Sequence, residues 1–347
     1  MRFAFTEEQE ELRAAVRAML ERHATSAQVR AAIDGDAGPT DGAWRLIVEQ
    51  MELTSLMVPE EQGGAGASFV EVGIVLEELG RSLMPVPYLP TAVAAALLPA
   101  AWHERIVAGA VVGLALPAGT GARLPDARAV NGGLELHGTI DHVIGGESAE
   151  LLVVAAVHEG ALGLFVVDAD ATTIEPRATL DQTRRQASVT FNGERATLLD
   201  CEVERALDLT RVALALESVG AAARCLEVTV DYLKERVQFG RALGTFQALR
   251  HRCADLAAEL EAATSTAYYA AAAPDELDVL GPLAGAVCAE AFLHVAAETI
   301  QLHGGIGFTW EHDAHLYFKR AKSTELLFGT PRELRRLAAA RAGVIAT

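Results

Sequence analysis

The pattern of residues along the chain changes twice, and these two changes limit the folds that it can adopt. Up to Ala110, apolar residues recur at helical spacing; from Val111 to about Leu199 short β-prone segments alternate with Gly, Asp and Asn turns. After Asp200, long helical patterns rich in Ala and Leu return. We therefore predict an α+β protein with three domains: an N-terminal α-helical domain (1–110), a middle antiparallel β-domain (111–200) and a C-terminal helical domain (201–347).

The first helix has a recognisable start. Phe5 precedes Thr6, and Gln9 follows three residues later. A threonine with a glutamine at the third helical position is typical of a capping box, so we predict that the helix begins after Thr6.

Charge and cysteine spacing exclude several classes of protein. Lys and Arg number 29 against 47 Asp and Glu, and the resulting net charge of −18 argues against a nucleic-acid partner, which requires basic surface. The four cysteines have neither the close spacing of a metal site nor that of a disulfide framework, so we predict buried free thiols and no metal.

The N-terminal residues and the hydropathy of the chain favour the cytoplasm. Acidic residues occupy the N-terminus where a signal peptide has its apolar core, and no uninterrupted apolar run of about 18 residues occurs. Together with free thiols, this predicts a cytoplasmic protein without a membrane span.

A glycine-rich break interrupts the C-terminal helices at Gly304-Gly305-Ile306-Gly307. Glycines without Cβ atoms allow positive φ and let a ligand come close to backbone N–H groups, as a phosphate does. A helix end followed by an ordinary loop explains the same residues. The turn alone does not decide between the two.

A second motif precedes it, between Tyr232 and Gln247. We predict that a helix ends at Gly240 and that the next begins near Thr245, so Arg236 and Gln247 flank one turn with donors suited to a phosphate or a dinucleotide edge. A helical hairpin with a solvated arginine is the alternative.

Four segments taken together resemble the acyl-CoA dehydrogenase family. They are PEEQGGAGASFVEVGIVLEELGR, ERVQFGRALGTFQA, QLHGGIGFTWEHDAHLYFKRAK and FGT, in this order along nearly the whole chain. The resemblance implies a C-terminal four-helix bundle, bound FAD, an acyl-CoA substrate, an oligomer and an electron-transfer flavoprotein as acceptor.

The resemblance also implies roles for single residues. Contacts to FAD are expected from Arg236, Phe239, Gln247, Gln301, Gly304, Gly305 and Thr330. Of these, Gln301, Gly304 and Gly305 are expected to reach an FAD that is held mainly by a neighbouring subunit. Arg211 is expected near the acyl-CoA.

The chain departs from the family pattern where catalysis takes place. The family's catalytic Glu precedes Gly-Thr, where this chain has Phe328; the alternative family position is Thr210, and neither side chain can remove a proton. His142 and Ile144 stand where the family has a Trp and a Thr against the flavin ring. FAD binding in this subunit's own pocket is therefore an open question.

Glu217 is the remaining candidate for a catalytic base. It follows Thr210 by seven residues, two helical turns or about 10.5 Å, in an apolar run where burial is expected to raise its pKa. A buried hydrogen bond between helices is the other interpretation.

A short chain without the base resembles the smaller subunits of actinobacterial α2β2 acyl-CoA dehydrogenases, which act on CoA thioesters of steroid side chains. The leading hypothesis is that a homologous larger subunit supplies the Glu. A self-sufficient homo-oligomeric dehydrogenase and a non-catalytic scaffold are the alternatives.

Overall fold

The computed structural model describes residues 4–35 and 40–345. Helices occur on both sides of a block of strands. Six lie before it: α1 (Glu7–His23), α2 (Ser26–Asp34), α3 (Thr40–Arg45), α4 (Phe69–Ser82), α5 (Tyr88–Leu97) and α6 (His103–Val107). Five follow it: α7 (Val203–Glu235), α8 (Gln247–Ala272), α9 (Leu277–His303), α10 (Ala314–Leu326) and α11 (Pro331–Arg341).

The predicted start of α1 is confirmed. The Gln9 backbone N–H donates to Thr6 Oγ1 (3.2 Å), and the Thr6 N–H donates to Gln9 Oε1 (3.0 Å). More than two turns further along α1, Arg17 donates to the buried carboxylate of Glu78 on α4. The cap and this ion pair fix α1 against the N-terminal core.

The middle domain is a seven-stranded sheet. Its strands are β1 (Val112–Ala115), β2 (Asp126–Val130), β3 (Gly133–Ile144), β4 (Leu151–His158), β5 (Ala161–Asp168), β6 (Thr173–Arg177) and β7 (Gln186–Leu198). The order is β1-β3-β2-β4-β5-β7-β6, and β1–β4 and β3–β7 also pair. The prediction of an antiparallel sheet was incomplete, because β4 pairs in parallel with β1 and β2. A crossover between distant segments makes these pairs, and alternation along one strand does not reveal it.

Two glycines bring the N-terminal and C-terminal helices into backbone contact. A Cβ atom at Gly80 of α4 would lie 1.9 Å from the carbonyl oxygen of Glu217, and one at Gly220 of α7 would lie 1.9 Å from that of Glu77. Because a larger residue would separate the helices, this crossing fixes α7 beneath α4.

Helix α9 lies in the core of the C-terminal helices, packed against α7, α8, α10 and α11. The segment Pro274–Phe308 is long and apolar enough to cross a membrane, with a mean hydropathy of 1.6, but 67% of its most apolar window is buried inside the protein. It is therefore a buried core helix.

The turn after α7 differs from the prediction. The helix ends at Glu235, not at Gly240, and a hairpin of β8 (Val237–Gln238) and β9 (Arg241–Ala242) precedes α8. Phe239 and Gly240 form its two-residue turn with φ values of 53° and 76°. Positive φ at both positions is the geometry of a type I′ turn, which usually has Asn-Gly.

All four cysteines lie in the described part of the chain and are free, as predicted. Only Cys225 and Cys288 are buried; Cys201 and Cys253 are partly exposed. The prediction of buried thiols therefore holds for two of the four.

Candidate active site

A cleft of about 640 Å³ lies between the β-domain and helix α10. Strand ends and loops of the sheet form one wall, and the last turn of α10 with the residues after it forms the other. The lining residues used below are Ala118, Gly119, Gly121, Arg123, Asp141, His142 and Lys322.

The cleft wall at 118–123 exposes backbone. Cβ atoms added at Gly119 or Gly121 would have no described atom within 4 Å, so a ligand can approach the main chain there. Arg123 and Lys322 also line this cleft, where Lys322 pairs with Glu325. Open glycine backbone beside basic side chains suits an anionic ligand.

Asp141 is the one carboxylate among the described residues that line the cleft. The Ser188 hydroxyl and the Arg177 guanidinium donate to it and hold its pKa below the usual range. An acid with a lowered pKa and two hydrogen-bond partners is a poor proton acceptor. The described lining of the cleft therefore has no available carboxylate base.

Phe328 lies where α10 passes into α11, with its ring buried. Its N–H donates to the Ala118 carbonyl (2.7 Å), and its own carbonyl accepts from Arg211 Nε (3.0 Å). Arg211 is itself buried and paired with Asp208 (2.5 Å). Its guanidinium is thus used inside the protein, whereas the sequence predicted a contact to acyl-CoA.

Thr330 and Thr210 also have internal partners. Thr330 is the N-cap of α11: it accepts from the Glu333 N–H (3.4 Å), and its hydroxyl donates to Glu333 Oε2 (2.7 Å). Thr120 donates to the other oxygen of Glu333 (3.0 Å), which ties α11 to the cleft wall. The hydroxyl of Thr210 is buried and donates to the Ala206 carbonyl (2.7 Å).

The two sequence motifs meet at the opposite end of α7. The Tyr232 ring stacks on His303 with 4.5 Å between centroids, which brings the end of α7 beside the end of α9. At this end lie six predicted FAD contacts, all exposed: Arg236, Phe239, Gln247, Gln301, Gly304 and Gly305. Cβ atoms at Gly304 and Gly305 would meet no described atom within 4 Å, whereas Gly307 packs against Ile300.

The predicted contacts form two separate groups. Arg211 and Arg236 are 25 residues apart on or at the end of α7, which corresponds to about 37 Å at 1.5 Å per residue. The structure therefore brings together Arg236 with the glycine turn, and Thr330 with Phe328 and Arg211, but not the two groups with each other.

Glu217 does not line the cleft but belongs to a buried ion network. Arg320 of α10 donates to its Oε1 (2.8 Å), and Arg184, just before β7, donates to its Oε2. Arg320 Nε also donates to Asp181 (2.7 Å). Burial alone would raise the pKa of Glu217, but the two guanidinium groups lower it below its ordinary value. The prediction of a raised pKa was wrong because the arginines come from distant segments.

Comparison with known proteins agrees with this architecture. Family models for the acyl-CoA dehydrogenase N-terminal and C-terminal domains match residues 6–102 and 202–343. The acyl-CoA dehydrogenase IpdE2 of Mycolicibacterium smegmatis is 38% identical over 96% of this chain and 99% of its own length. The chain belongs to the acyl-CoA dehydrogenase family.

Two solved structures show the same fold. The Tcur3481–Tcur3483 steroid ACAD superposes with a TM-score of 0.90 at 32% identity, covering 98% of this chain and 99% of that one. A chain of the ChsE4–ChsE5 complex from Mycobacterium tuberculosis gives a TM-score of 0.90 at 27% identity, and the superposition covers 100% of this chain and 100% of that one.

Acyl-CoA dehydrogenases are FAD-dependent oxidoreductases that act on CH–CH bonds. The cleft of this member fits a flavin in part: it has open backbone at Gly119 and Gly121 and cations at Arg123 and Lys322. His142 lines it and bonds Gln186 (2.9 Å), in a strained conformation with φ of 62°. Ile144 does not reach the cleft; it is buried and lines a smaller cavity nearby.

Sequence reasoning missed Asp181, Arg184 and Arg320. The spacing along the chain carries no sign that they meet, since Arg184 and Arg320 are 33 and 103 residues from Glu217. A possible signal was Arg320 within the largely apolar face of α10, because a charge at a core position requires a buried partner.

Proposed function

We propose that this chain is a subunit of a heteromeric, FAD-dependent acyl-CoA dehydrogenase in which the larger, homologous subunit supplies the catalytic Glu. The observation that carries the proposal is the absence of an available carboxylate at the described cleft lining. Phe328 stands at the predicted base position, and Asp141 is held by Ser188 and Arg177. Desaturation of a CoA thioester requires removal of an α-proton, which the family assigns to a carboxylate, and we infer that another chain supplies this carboxylate. Bound FAD would supply the hydride acceptor for the β-carbon.

The separation along α7 supports a shared cofactor site. Because about 37 Å divides Arg211 from Arg236, one FAD cannot be held by both groups of residues in one chain. The exposed group at Arg236 is placed to contact FAD held mainly by another subunit. The second group, at Phe328 and Thr330, lies beside this chain's own cleft, since the Phe328 N–H donates to the carbonyl of the cleft residue Ala118.

Exposed aromatic side chains support a subunit interface at the same end. Phe239, Phe308 and Trp310 have exposures of 89, 86 and 70%. Large aromatic side chains exposed together are typical of surfaces that another protein covers. We propose that the larger subunit covers them in the assembly.

The acyl group that we propose is bulky, such as a steroid side chain. The similar Tcur3481–Tcur3483 protein is a steroid ACAD, and ChsE4–ChsE5 is a complex of two different chains. An electron-transfer flavoprotein is the proposed acceptor, and the four free cysteines suit the proposed cytoplasmic location.

The decisive experiment compares this chain alone with the complex that it forms with the larger subunit. We expect no acyl-CoA dehydrogenase activity from the chain alone and flavin bleaching by the complex upon addition of acyl-CoA. Substitution of the partner's Glu by Gln should abolish bleaching. Robust turnover by this chain without a partner would instead establish the homo-oligomeric alternative.

The FAD contacts are tested with two arginines. Arg236→Ala should weaken FAD binding by the complex, since a hydrogen bond to a charged group contributes about 1.5–3 kcal/mol. Arg336→Ala, an exposed arginine on α11 outside the predicted contacts, is the control. The measurement is the ratio of flavin to protein after dialysis; equal ratios in both variants would remove Arg236 from the FAD site.

A further inference from the structure

A histidine side chain caps the start of helix α10. Ala314 is the first residue of the helix, and its backbone N–H donates to Nδ1 of the His312 imidazole (3.1 Å). Asp313, the N-cap residue, makes no side-chain cap, because its Oδ1 accepts from Arg30 (2.5 Å) and Ser26 (2.8 Å) of α2. The first N–H groups of a helix have no partner within it, and here an imidazole takes the place that Ser, Thr, Asp or Asn usually fills.

This hydrogen bond requires a neutral imidazole. Nδ1 of His312 accepts a hydrogen bond only when it carries no proton, so the ring proton is on Nε2. A proton on Nδ1 would point at the Ala314 N–H. It would also place a positive charge at the N-terminus of α10, where the helix dipole disfavours cations. Protonation of His312 therefore removes the cap.

His312 also lies against a second histidine. The centroid of its ring is 4.3 Å from that of His303 at the end of α9, and Nδ1 of His303 donates to the Thr299 carbonyl (2.7 Å). Burial lowers the pKa of His312, and the neighbouring His303 and Arg30 lower it further. The Asp313 carboxylate opposes this shift of the pKa in part. Burial lowers the pKa of His303 as well, so both rings are held neutral in contact with each other.

Four other ionisable side chains surround this segment: Tyr232, Glu311, His315 and Lys319. Only His315 among them has an imidazole, and burial and the Lys319 charge lower its pKa. Its ring packs edge-on against Trp310, with 4.5 Å between the centroids. A substitution of His312 alone therefore separates the cap from this further histidine.

The segment before the cap carries exposed residues. Residues 304–313 connect α9 to α10 and include the exposed Phe308 and Trp310, and Arg30 ties them to α2 by donating to the Trp310 carbonyl (2.7 Å). We propose that His312 is an acid-sensitive cap: when its imidazole takes up a proton, the start of α10 opens and residues 304–313 loosen. The loosening is a property of this chain alone. Its consequence, weaker association with the larger subunit, rests on the proposed function.

Hydrogen exchange of the Ala314 amide in the purified chain tests the cap. The protection factor is the exchange rate of an unstructured peptide at the same pH divided by the measured rate. If opening takes up one proton at the ordinary histidine pKa of about 6.5, the protection of Ala314 should fall about five- to tenfold from about pH 7.5 to about pH 5.5. The Gln9 amide, which donates to the Thr6 hydroxyl, is the internal control and should keep its protection. Equal protection of Ala314 at the two pH values would overturn the proposal.

Two variants show whether His312 is responsible. In His312→Asn, the amide oxygen accepts from the backbone N–H two residues on, as Nδ1 does in the wild type, but it does not titrate. The fall in Ala314 protection should be at least about threefold smaller in this variant. His294→Asn, at an exposed histidine of α9 that pairs with Glu259 (2.7 Å), is the matched control and should lose protection as the wild type does. An equal fall in His312→Asn and the wild type would contradict the assignment.

The consequence for association is measured on the complex with the larger subunit. The dissociation constant of the complex should rise more from about pH 7.5 to about pH 5.5 for the wild type than for His312→Asn, and an equal rise would overturn this consequence. If no complex forms at either pH, the proposed function is contradicted, while exchange in the chain alone still decides the cap. A complex whose flavin acyl-CoA bleaches, formed by a chain whose Ala314 protection does not change with pH, would keep the dehydrogenase and overturn the cap.

Discussion

Substitution of Glu217 separates a structural carboxylate from a catalytic one. The Glu217 side chain is 12% exposed, and its partners Arg184 and Arg320 are 5 and 3% exposed. Glu217→Gln keeps the shape but leaves two buried guanidinium groups with Asp181 alone. Removing one partner of a buried ion pair costs about 3–5 kcal/mol. At about 2 °C per kcal/mol for a chain of this size, the melting temperature should fall by roughly 6–10 °C.

The matched control is the exposed pair of Glu290 and Arg335, whose side chains are 45 and 48% exposed. Exposed pairs contribute about 0–1 kcal/mol, so Glu290→Gln should change the melting temperature by at most about 2 °C. Both variants are measured by calorimetry at equal concentration. The double variant Glu217→Gln with Arg184→Gln should lose less stability than the sum of the losses in the two single variants, because it removes both members of an ion pair.

Activity then tests the alternative role. If Glu217 is structural, Glu217→Gln leaves the turnover of the folded complex within about tenfold, whereas loss of a general base costs at least about 100-fold. A variant that melts like the wild type but has lost turnover more than 100-fold would refute the structural interpretation and restore Glu217 as a base.

Three further predictions concern acid, a glycine and the position of the base. Because the pKa of Glu217 is lowered in the folded protein, its ionised carboxylate stabilises the fold fully above the ordinary carboxyl pKa of about 4.3, and this stabilisation is lost as pH falls through the lower folded value. The urea midpoint of the wild type should therefore fall more steeply below pH 4 than that of Glu217→Gln. Gly304→Ala and Gly160→Ala both place Ala at positive φ in open space and should each cost roughly 1–3 kcal/mol, but only Gly304→Ala should lower the FAD content of the complex. Phe328→Glu should melt at a lower temperature, because it puts a carboxylate in the core. When the chain is saturated with FAD, this variant should dehydrogenate acyl-CoA slowly. If the variant is folded and loaded with flavin but no acyl-CoA bleaches it, Phe328 is not at the base position.

Local signals in the sequence were sufficient for the elements that depend on nearby residues. The capping box at Thr6 and Gln9 predicted the start of α1, and the glycine run at 304–307 predicted the end of α9. The order of helical, β and helical segments followed from periodicity. The hairpin at Phe239 was missed because its strands have two residues each, too few for a period to be visible.

Long-range pairings could not be predicted in the same way. The direction of the Glu217 pKa depends on Arg184 and Arg320, which a single sequence does not place beside it. An apolar run around a carboxylate predicts a raised pKa, and two arginines from other elements reverse it. Likewise, Arg211 has the position expected of a substrate contact, and only the fold reveals its partners Asp208 and Phe328.

The backbone at Phe328 explains how the cleft keeps its shape without a catalytic carboxylate. Its φ of 59° is unfavourable for a bulky residue, at a cost of about 1–3 kcal/mol. Burial of the ring contributes about 1.5–3 kcal/mol in the opposite direction, and the hydrogen bonds to Ala118 and from Arg211 hold the peptide groups on both sides. These two bonds use only main-chain atoms of residue 328, so they do not depend on its side chain. The same main-chain contacts can therefore form with an aromatic ring as with an acid at this position, and under the proposal that another subunit removes the proton, packing decides which residue is tolerated.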